Sequence, residues 1–405
     1  MSTGLAEVPS ADEGAVRLVD RALVERVRAR LVADDAVPTP AAVARALLGE
    51  GRVLGDAGVR SIVDVLHAEL VGLGPLQPFA RDPAVTDILV VGHERVWVDV
   101  GQGLQRVALA FADDRAVVEL AQRLAARCAR RLDDAQPYAD GQLPGGVRLH
   151  AVIPPVSELP CLSLRLARPQ AFTLDDLRAL DAIDDRMAAV LRAVVERRLA
   201  LLVSGGTGTG KTTLLSTLLG LVDPRDRIVV VEDTTELAPQ HPHVVRLQAR
   251  PPNIEGSGEV SLRTLVRQAL RMRPDRLVVG EVRGAEVVDL LGALNTGHEG
   301  GCGTVHANAP RDVPARMEAL GMTGGLERLA VHSQLAAAID VVVHVARDGN
   351  GQRGVACIGV LERRPDATVA VVEALTARPT RPTGPPESRT APGWEALLER
   401  LGGDV

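Results

Sequence analysis

Apolar positions recur along this chain in two rhythms. Over residues 15–32 (AVRLVDRALVERVRARLV) charges interrupt valine and leucine at helical spacing, and residues 40–49 and 59–72 repeat that rhythm. They predict an N-terminal helical region whose charged positions form a solvated face. Near GLGPL (72–76) the character changes. Residues 86–91 (TDILVV), 95–100 (RVWVDV) and 104–109 read as strands joined by the turns GHE and GQG. Residues 113–132 read as a helix, and 147–153 and 162–167 as further strands. Thr173 is a candidate helix cap with Asp176 three residues on, and a second helix is expected over 184–197. From there apolar runs at 199–203, 227–231, 243–247, 276–279, 303–306 and 339–344 alternate with helical stretches. That order predicts a mostly parallel sheet with helices on both faces. The first fifteen or so residues, and the Pro, Thr and Arg-rich RPTRPTGPPESRTAPG after about residue 377, are expected to be disordered, with a short terminal helix at 394–401. The expected division is a helical region at 1–57, an α/β domain at 58–170, a larger α/β domain at 171–375 and a tail at 376–405.

The apolar run at 199–203 opens into GGTGTGKTT (205–213) and then LLSTLL. Strand, glycine loop and helix start follow in the order a phosphate cradle needs, and Gly205, Gly210, Lys211 and Thr212 complete G-x-x-x-x-G-K-[ST]. Glycine lets backbone N–H groups turn inward without a Cβ clash, and the helix N-terminus adds free donors. Gly205, Gly206, Thr207, Gly208, Thr209, Gly210, Lys211, Thr212 and Thr213 are therefore the candidate nucleotide-binding run. Lys211 is expected on the β- and γ-phosphates and the Thr212 hydroxyl on Mg²⁺. Lys211 is the only lysine; every other basic side chain among the 46 is arginine. A compact ammonium stands where a planar fork would not substitute.

Composition narrows the setting. At 405 residues the chain is too long for one ordinary core, and with aromatics at 1% its cores must be aliphatic. A net charge of −6 argues against a protein that grips nucleic acid through a basic surface, so no direct nucleic-acid contact is expected. Cys128, Cys161, Cys302 and Cys357 are far apart and form no C-x-x-C pair, which fits a reducing cytosol. The polar, acidic start is not read as a signal peptide, and no long uncharged apolar run predicts a membrane span. Membrane contact is expected only through partners.

Three downstream clusters suit phosphoryl chemistry. The apolar run at 228–231 ends in Glu232 and Asp233, with Glu236 close behind; that at 277–279 ends in Gly280 and Glu281. Parallel strands deliver their last residues to the edge where ligands bind. Carboxylates there can hold Mg²⁺ through water or orient the attacking water. Glu281, Glu232 and Glu236 are candidates for orienting water, and Asp233 and Glu281 for the metal. Arg271, Arg273, Arg276 and Arg283 around the second run suit either a solvated face or charge neutralisation. His298 and His306 flank a glycine turn without metal-ligand spacing, and a γ-phosphate contact or coupling role suits them.

Residues 250–284 (RPPNIEGSGEVSLRTLVRQALRMRPDRLVVGEVRG) and 295–308 (NTGHEGGCGTVHAN) resemble the type II/IV secretion-system ATPase superfamily. Within it the chain most resembles the CpaF-like branch that powers tight-adherence (Flp-type) pili. VEDTTEL (231–237) is similar to that superfamily's acidic box, LVVGE to its degenerate second nucleotide motif, and GHEG with TVHAN to its histidine box. GLGPL, DPAVTDILVVG (82–92) and LPGGVRLHAVIPP (143–155) carry the likeness into the first domain, with departures at Gly146 and His150. The resemblance implies a RecA-like P-loop ATPase domain preceded by a smaller α/β domain, ATP and Mg²⁺ as cofactors, and a cytoplasmic homo-hexameric ring. It also implies an inner-membrane platform protein as partner, and first-domain arginines such as Arg148 or Arg165 approaching the phosphates. Arg263 and Arg267 are candidates for that as well. The leading expectation is an ATP-hydrolysing motor for pilus assembly or secretion. The alternatives are a conjugation-type transfer ATPase and a nucleotide-binding scaffold with little turnover.

Overall fold

The structure, a computed structural model, describes residues 21–34, 39–52, 55–70, 72–101, 103–166, 172–252, 256–349, 351–378 and 387–403. The expectation for the first fifteen residues, the end of the strand expected at 162–167, and residues 379–386 of the tail lie outside them. The chain divides into two compact units, Met1–Arg168 and Pro169–Val405.

In the first unit the helices Arg21–Ala33, Pro40–Gly49 and Asp56–Leu70 share a small core of Leu23, Val27, Leu31, Val43, Leu47, Ile62 and Leu66. Thr39 starts the second of them, its Oγ1 accepting the Ala42 amide at 3.2 Å with Pro40 in the first turn. The third helix thus packs with the helical region that precedes it. Strands β1 (Asp87–Val91), β2 (Arg95–Asp99), β3 (Leu104–Arg106), β4 (Tyr138–Gln142), β5 (Arg148–Val152) and β6 (Cys161–Arg165) form an antiparallel sheet in the order β3-β2-β1-β6-β5-β4. Ile88 and Val90 alternate inward on β1, opposite Leu164 and Leu162 of β6. The helix Asp114–Arg127 covers that face with Val117, Leu120, Ala121 and Leu124. Strand β4 has no signal in the sequence: YADGQ buries only Ala139 well, and pairing with β5 supplies the rest.

The second unit is built on a nine-stranded sheet. Its strands are β7 (Leu201–Gly205), β8 (Ile228–Glu232), β9 (Val244–Gln248), β10 (Arg276–Val279), β11 (Cys302–His306), β12 (Val341–Arg347), β13 (Arg353–Arg363), β14 (Val369–Arg378) and β15 (Glu387–Thr390). The order is β15-β14-β13-β12-β7-β11-β10-β8-β9, parallel from β12 to β9 and antiparallel from β12 to β15. Both faces are covered, which is why these strands read as unbroken apolar runs. Leu201, Val203, Val230 and Val343 enter one core with the helices Asp185–Glu196 and Lys211–Leu219. Leu202, Val229, Val231 and Val342 enter the other with Leu262–Ala269, Glu286–Leu294 and Val313–Thr323.

The part of the tail that is described is not a linker. β15 adds to β14, and the helix Trp394–Leu401 buries Leu397 and Leu401 in the first of these cores. The Arg186 guanidinium lies 4.5 Å from the Trp394 ring centroid. Arg400 donates to the carbonyls of Asp340 (3.1 Å) and Leu361 (2.9 Å). Proline and arginine counts could not show this, because two leucines four residues apart decide where the segment goes.

Candidate functional site

β7 is flanked by β12 on one side and β11 on the other, and β12 follows β11 in sequence, so the order reverses at β7. Ligands bind in the crevice at the carboxyl ends of strands at such a point. The loop 205–210 leaves there and enters the helix Lys211–Leu219. Gly210 holds φ +100° at the helix start. At Gly205 a Cβ would come 2.4 Å from the Val345 carbonyl oxygen of β12, so no side chain fits.

Lys211 is 7% exposed, and its Nζ donates to the carbonyls of Gly205 (3.1 Å) and Gly206 (2.8 Å). It also stands 3.4 Å from both ring nitrogens of His306, at the end of the adjacent β11. His306 Nε2 is 2.9 Å from Glu281 Oε1, and the other Glu281 oxygen accepts Arg283 Nη2 at 2.5 Å. Arg283 in turn stands 3.7 Å from Asp233. Burial pulls Lys211 below the usual lysine range, with the Glu281 and Glu236 carboxylates opposing. Burial also lowers His306, and Lys211, Arg283 and Arg316 reinforce this against Glu281. A neutral ring with its proton on Nε2 donates to Glu281 and leaves Nδ1 toward the lysine. Burial alone would raise Glu281, but the Arg283 hydrogen bond and the charges of Arg283, His306 and Lys211 hold it below the usual range. Three strand ends, those of β7, β10 and β11, thus place one ammonium, one ionised carboxylate and one neutral imidazole around the loop.

The remaining acids divide. The Thr212 hydroxyl is 3.4 Å from Glu236 Oε2. Glu232 is 4% exposed, and its Oε1 accepts the amides of Glu236 (3.1 Å) and Leu237 (2.9 Å). Burial pushes its carboxyl up to about 7. It lies against Gly280, where a Cβ would come 2.5 Å from Glu232 Cγ, so the glycine before Glu281 makes room for it. Thr212 and Glu236 are hard oxygen donors of the kind Mg²⁺ takes alongside substrate phosphates.

Five further expected positions have partners of their own. His298 is on the turn before β11, its amide and Nδ1 both directed at the Ala293 carbonyl, so it sits at the edge of the sheet opposite His306. The glycines beside it are steric: a Cβ on Gly300 would overlap the buried Arg276 guanidinium, which donates to the carbonyls of Gly300 and Val195. Arg148 and Arg165 are cross-strand neighbours in the first unit, 3.8 Å from Asp140 and 3.1 Å from Asp87 respectively. Arg263 and Arg267 both bind Asp289, each at 2.7 Å. Two further residues reach the loop and carry no motif. Arg347, at the end of β12, donates to the Gly208 carbonyl (3.0 Å), and buried His344 meets Ser204 (3.0 Å). Only the parallel register of β12 on β7, His344 beside Ser204, brings them there.

The sequence pattern of the type II/IV secretion system protein family matches residues 69–376, well over half of the chain. The chain belongs to that family. A putative conjugal transfer protein of Mycobacterium tuberculosis is 59% identical over 326 residues, covering 79% of this chain and 93% of its own length. The conjugal transfer protein TrbB of Rhizobium radiobacter is 31% identical over 277 residues (67% of this chain, 82% of TrbB). The type IV secretion system protein PtlH of Bordetella pertussis is 31% identical over 311 residues (69% and 91%). Among solved structures, the pilus retraction motor PilT with bound ADP superposes with a TM-score of 0.50 at 17% identity, over 81% of this chain and 85% of PilT. The Yersinia pseudotuberculosis ATPase DotB gives 0.50 at 16%, over 70% and 76%. The second unit carries the RecA-like P-loop fold and the first the smaller α/β domain. Both flanks, the helices before residue 69 and the β15–helix segment after 376, lie outside the matched region.

Proposed function

We propose that this family member hydrolyses Mg²⁺–ATP and that the energy drives a secretion-type machine through an inner-membrane platform protein, the protomers acting as a hexameric ring. The observation that carries the chemistry is the convergence of Lys211, Glu281 and His306 on one loop. Phosphoryl transfer needs positioning and charge neutralisation more than covalent chemistry. Lys211 would turn from the loop carbonyls to the β- and γ-phosphates, and Thr212, Glu236 and Asp233 would hold the metal, which would neutralise phosphate charge. Glu281, ionised, orients the water, and His306 links it to the lysine that feels the γ-phosphate. Glu232, bound to two amides, supports the turn that carries Glu236.

Assembly of a tight-adherence type pilus is the leading cargo reading. Conjugative transfer is the second, favoured by the names of the mycobacterial protein and TrbB. The test is Mg²⁺-dependent ATP turnover of wild type and Lys211→Ala, with and without single-stranded DNA. Turnover in the wild type and its loss in the variant are expected. Turnover equal in both would overturn the site assignment, and strong stimulation by DNA would move the conjugative reading to first place.

A further inference from the structure

The phosphate cradle is silent on which base it serves, because its contacts end at the phosphates. A cavity of about 340 Å³ opens beside it within the second unit, bordered by Thr209, Gly210 and Thr213 of the loop and helix start. Small-molecule sites begin at roughly 300 Å³. Phe172, Leu177, Ile183, Val345 and Val355 make its walls apolar. We infer that Gln352, on the rim of this cavity, reads the nucleobase and selects a purine that presents an amino group at position 6. The inference rests on the hydrolysis reading above and names the residue that fixes its substrate.

Gln352 ends the turn between β12 and β13, tied by its amide to Asp348 Oδ1 (2.9 Å) and by its carbonyl to the Asp348 amide (2.9 Å). Its side-chain Nε2 donates to the Leu180 carbonyl at 2.9 Å. An amide side chain has one donating and one accepting end. With the nitrogen committed, Oε1 is an acceptor on the rim and cannot trade places with it. Two nearby backbone carbonyls already accept: Leu177 from Ala182, and Ala182 from Val355. The turn is held close there, since a Cβ on Gly354 would come 2.8 Å from the Ala182 carbonyl oxygen. Thr209 donates to Gly206, and Arg353 has an interaction of its own. The Thr213 hydroxyl both donates and accepts, so it does not discriminate. An acceptor held on the exposed rim of an apolar cavity welcomes the 6-amino group of adenine. It sets lone pair against lone pair for the 6-carbonyl of guanine, and leaves the Gln oxygen unpaired for a purine with hydrogen at that position.

The experiment is equilibrium binding to the full chain by displacement of a fluorescent ATP analogue. The competitors are ATP, GTP and purine riboside triphosphate, which lacks the 6-amino group, and the proteins are wild type and Gln352→Met. Wild type is expected to bind ATP about tenfold or more tighter than either competitor, as one lost hydrogen bond implies. The variant is expected to bind ATP and purine riboside triphosphate within about a factor of two, the loss falling on ATP. Each ratio comes from one preparation, so it does not depend on the fraction folded. A wild type that treats ATP and purine riboside triphosphate alike, or a variant that keeps the full preference, overturns the assignment to Gln352 while leaving hydrolysis standing. A wild type that binds no triphosphate overturns the hydrolysis reading and this inference with it.

Discussion

Glu281 and Glu232 are both acids at strand ends, yet their surroundings drive them apart. Glu281 meets a guanidinium and an imidazole and stays ionised; Glu232 meets two amides in a dry turn and rises to about 7. Glu281→Gln is therefore expected to retain nucleotide binding and lose about 100-fold or more in turnover, read as an unchanged Kd beside a collapsed kcat. Equal losses in both quantities would place Glu281 in binding instead. For Glu232 the sign runs through stability. The folded state keeps its proton up to about pH 7, whereas the unfolded chain releases it near 4.5, so stability falls between these values as pH rises. The full loss is roughly 3 kcal/mol. Glu232→Gln keeps an acceptor for both amides and cannot ionise, so its urea midpoint should fall less across that window. Parallel curves for the two proteins would refute the account.

At the scale of elements, β12 holds the phosphate loop from the side: Val345 excludes a side chain at Gly205, and Arg347 holds the Gly208 carbonyl. Removing one such hydrogen bond costs about 1 kcal/mol, so Arg347→Ala should raise KM for ATP about fivefold with kcat little changed. A fall in kcat at constant KM would instead give Arg347 a role in the transition state. The helix Trp394–Leu401 is a second case. Leu397 is fully buried, and Leu397→Ala should cost about 2–5 kcal/mol by urea unfolding. No change would mean the helix merely rests on the sheet. The loop, the parallel strands and Glu281 were legible in sequence because each has a local cause: a glycine pattern, an unbroken apolar run, an acid at its end. Arg347, His344 and Gln352 were not, since nothing beside them in sequence differs from surface or core, and only strand register gathers them. His298 misled for the same reason. It neighbours His306 in sequence, but β11 lies between them and carries each to its own edge.

For the whole molecule, the net charge bears on the kind of partner. With a net charge of −6, nucleic acid finds little attraction, so DNA should change turnover by less than about twofold at physiological salt. If ring neighbours complete the site, turnover per protomer should climb with protein concentration before levelling, and sedimentation should show assembly over the same range. Constant specific activity across that range would mean the single chain is sufficient. The sheet itself bears on how such a ring is held. It ends in two short strands, the five-residue β9 and the four-residue β15, the latter reading Glu-Ser-Arg-Thr. Short, charged borders discourage a neighbour from continuing the ladder. In a ring, subunits discouraged from pairing along these two borders would meet there through side-chain surfaces. Such seams can slide and re-form within a working cycle, where a shared sheet would lock the ring as one rigid piece.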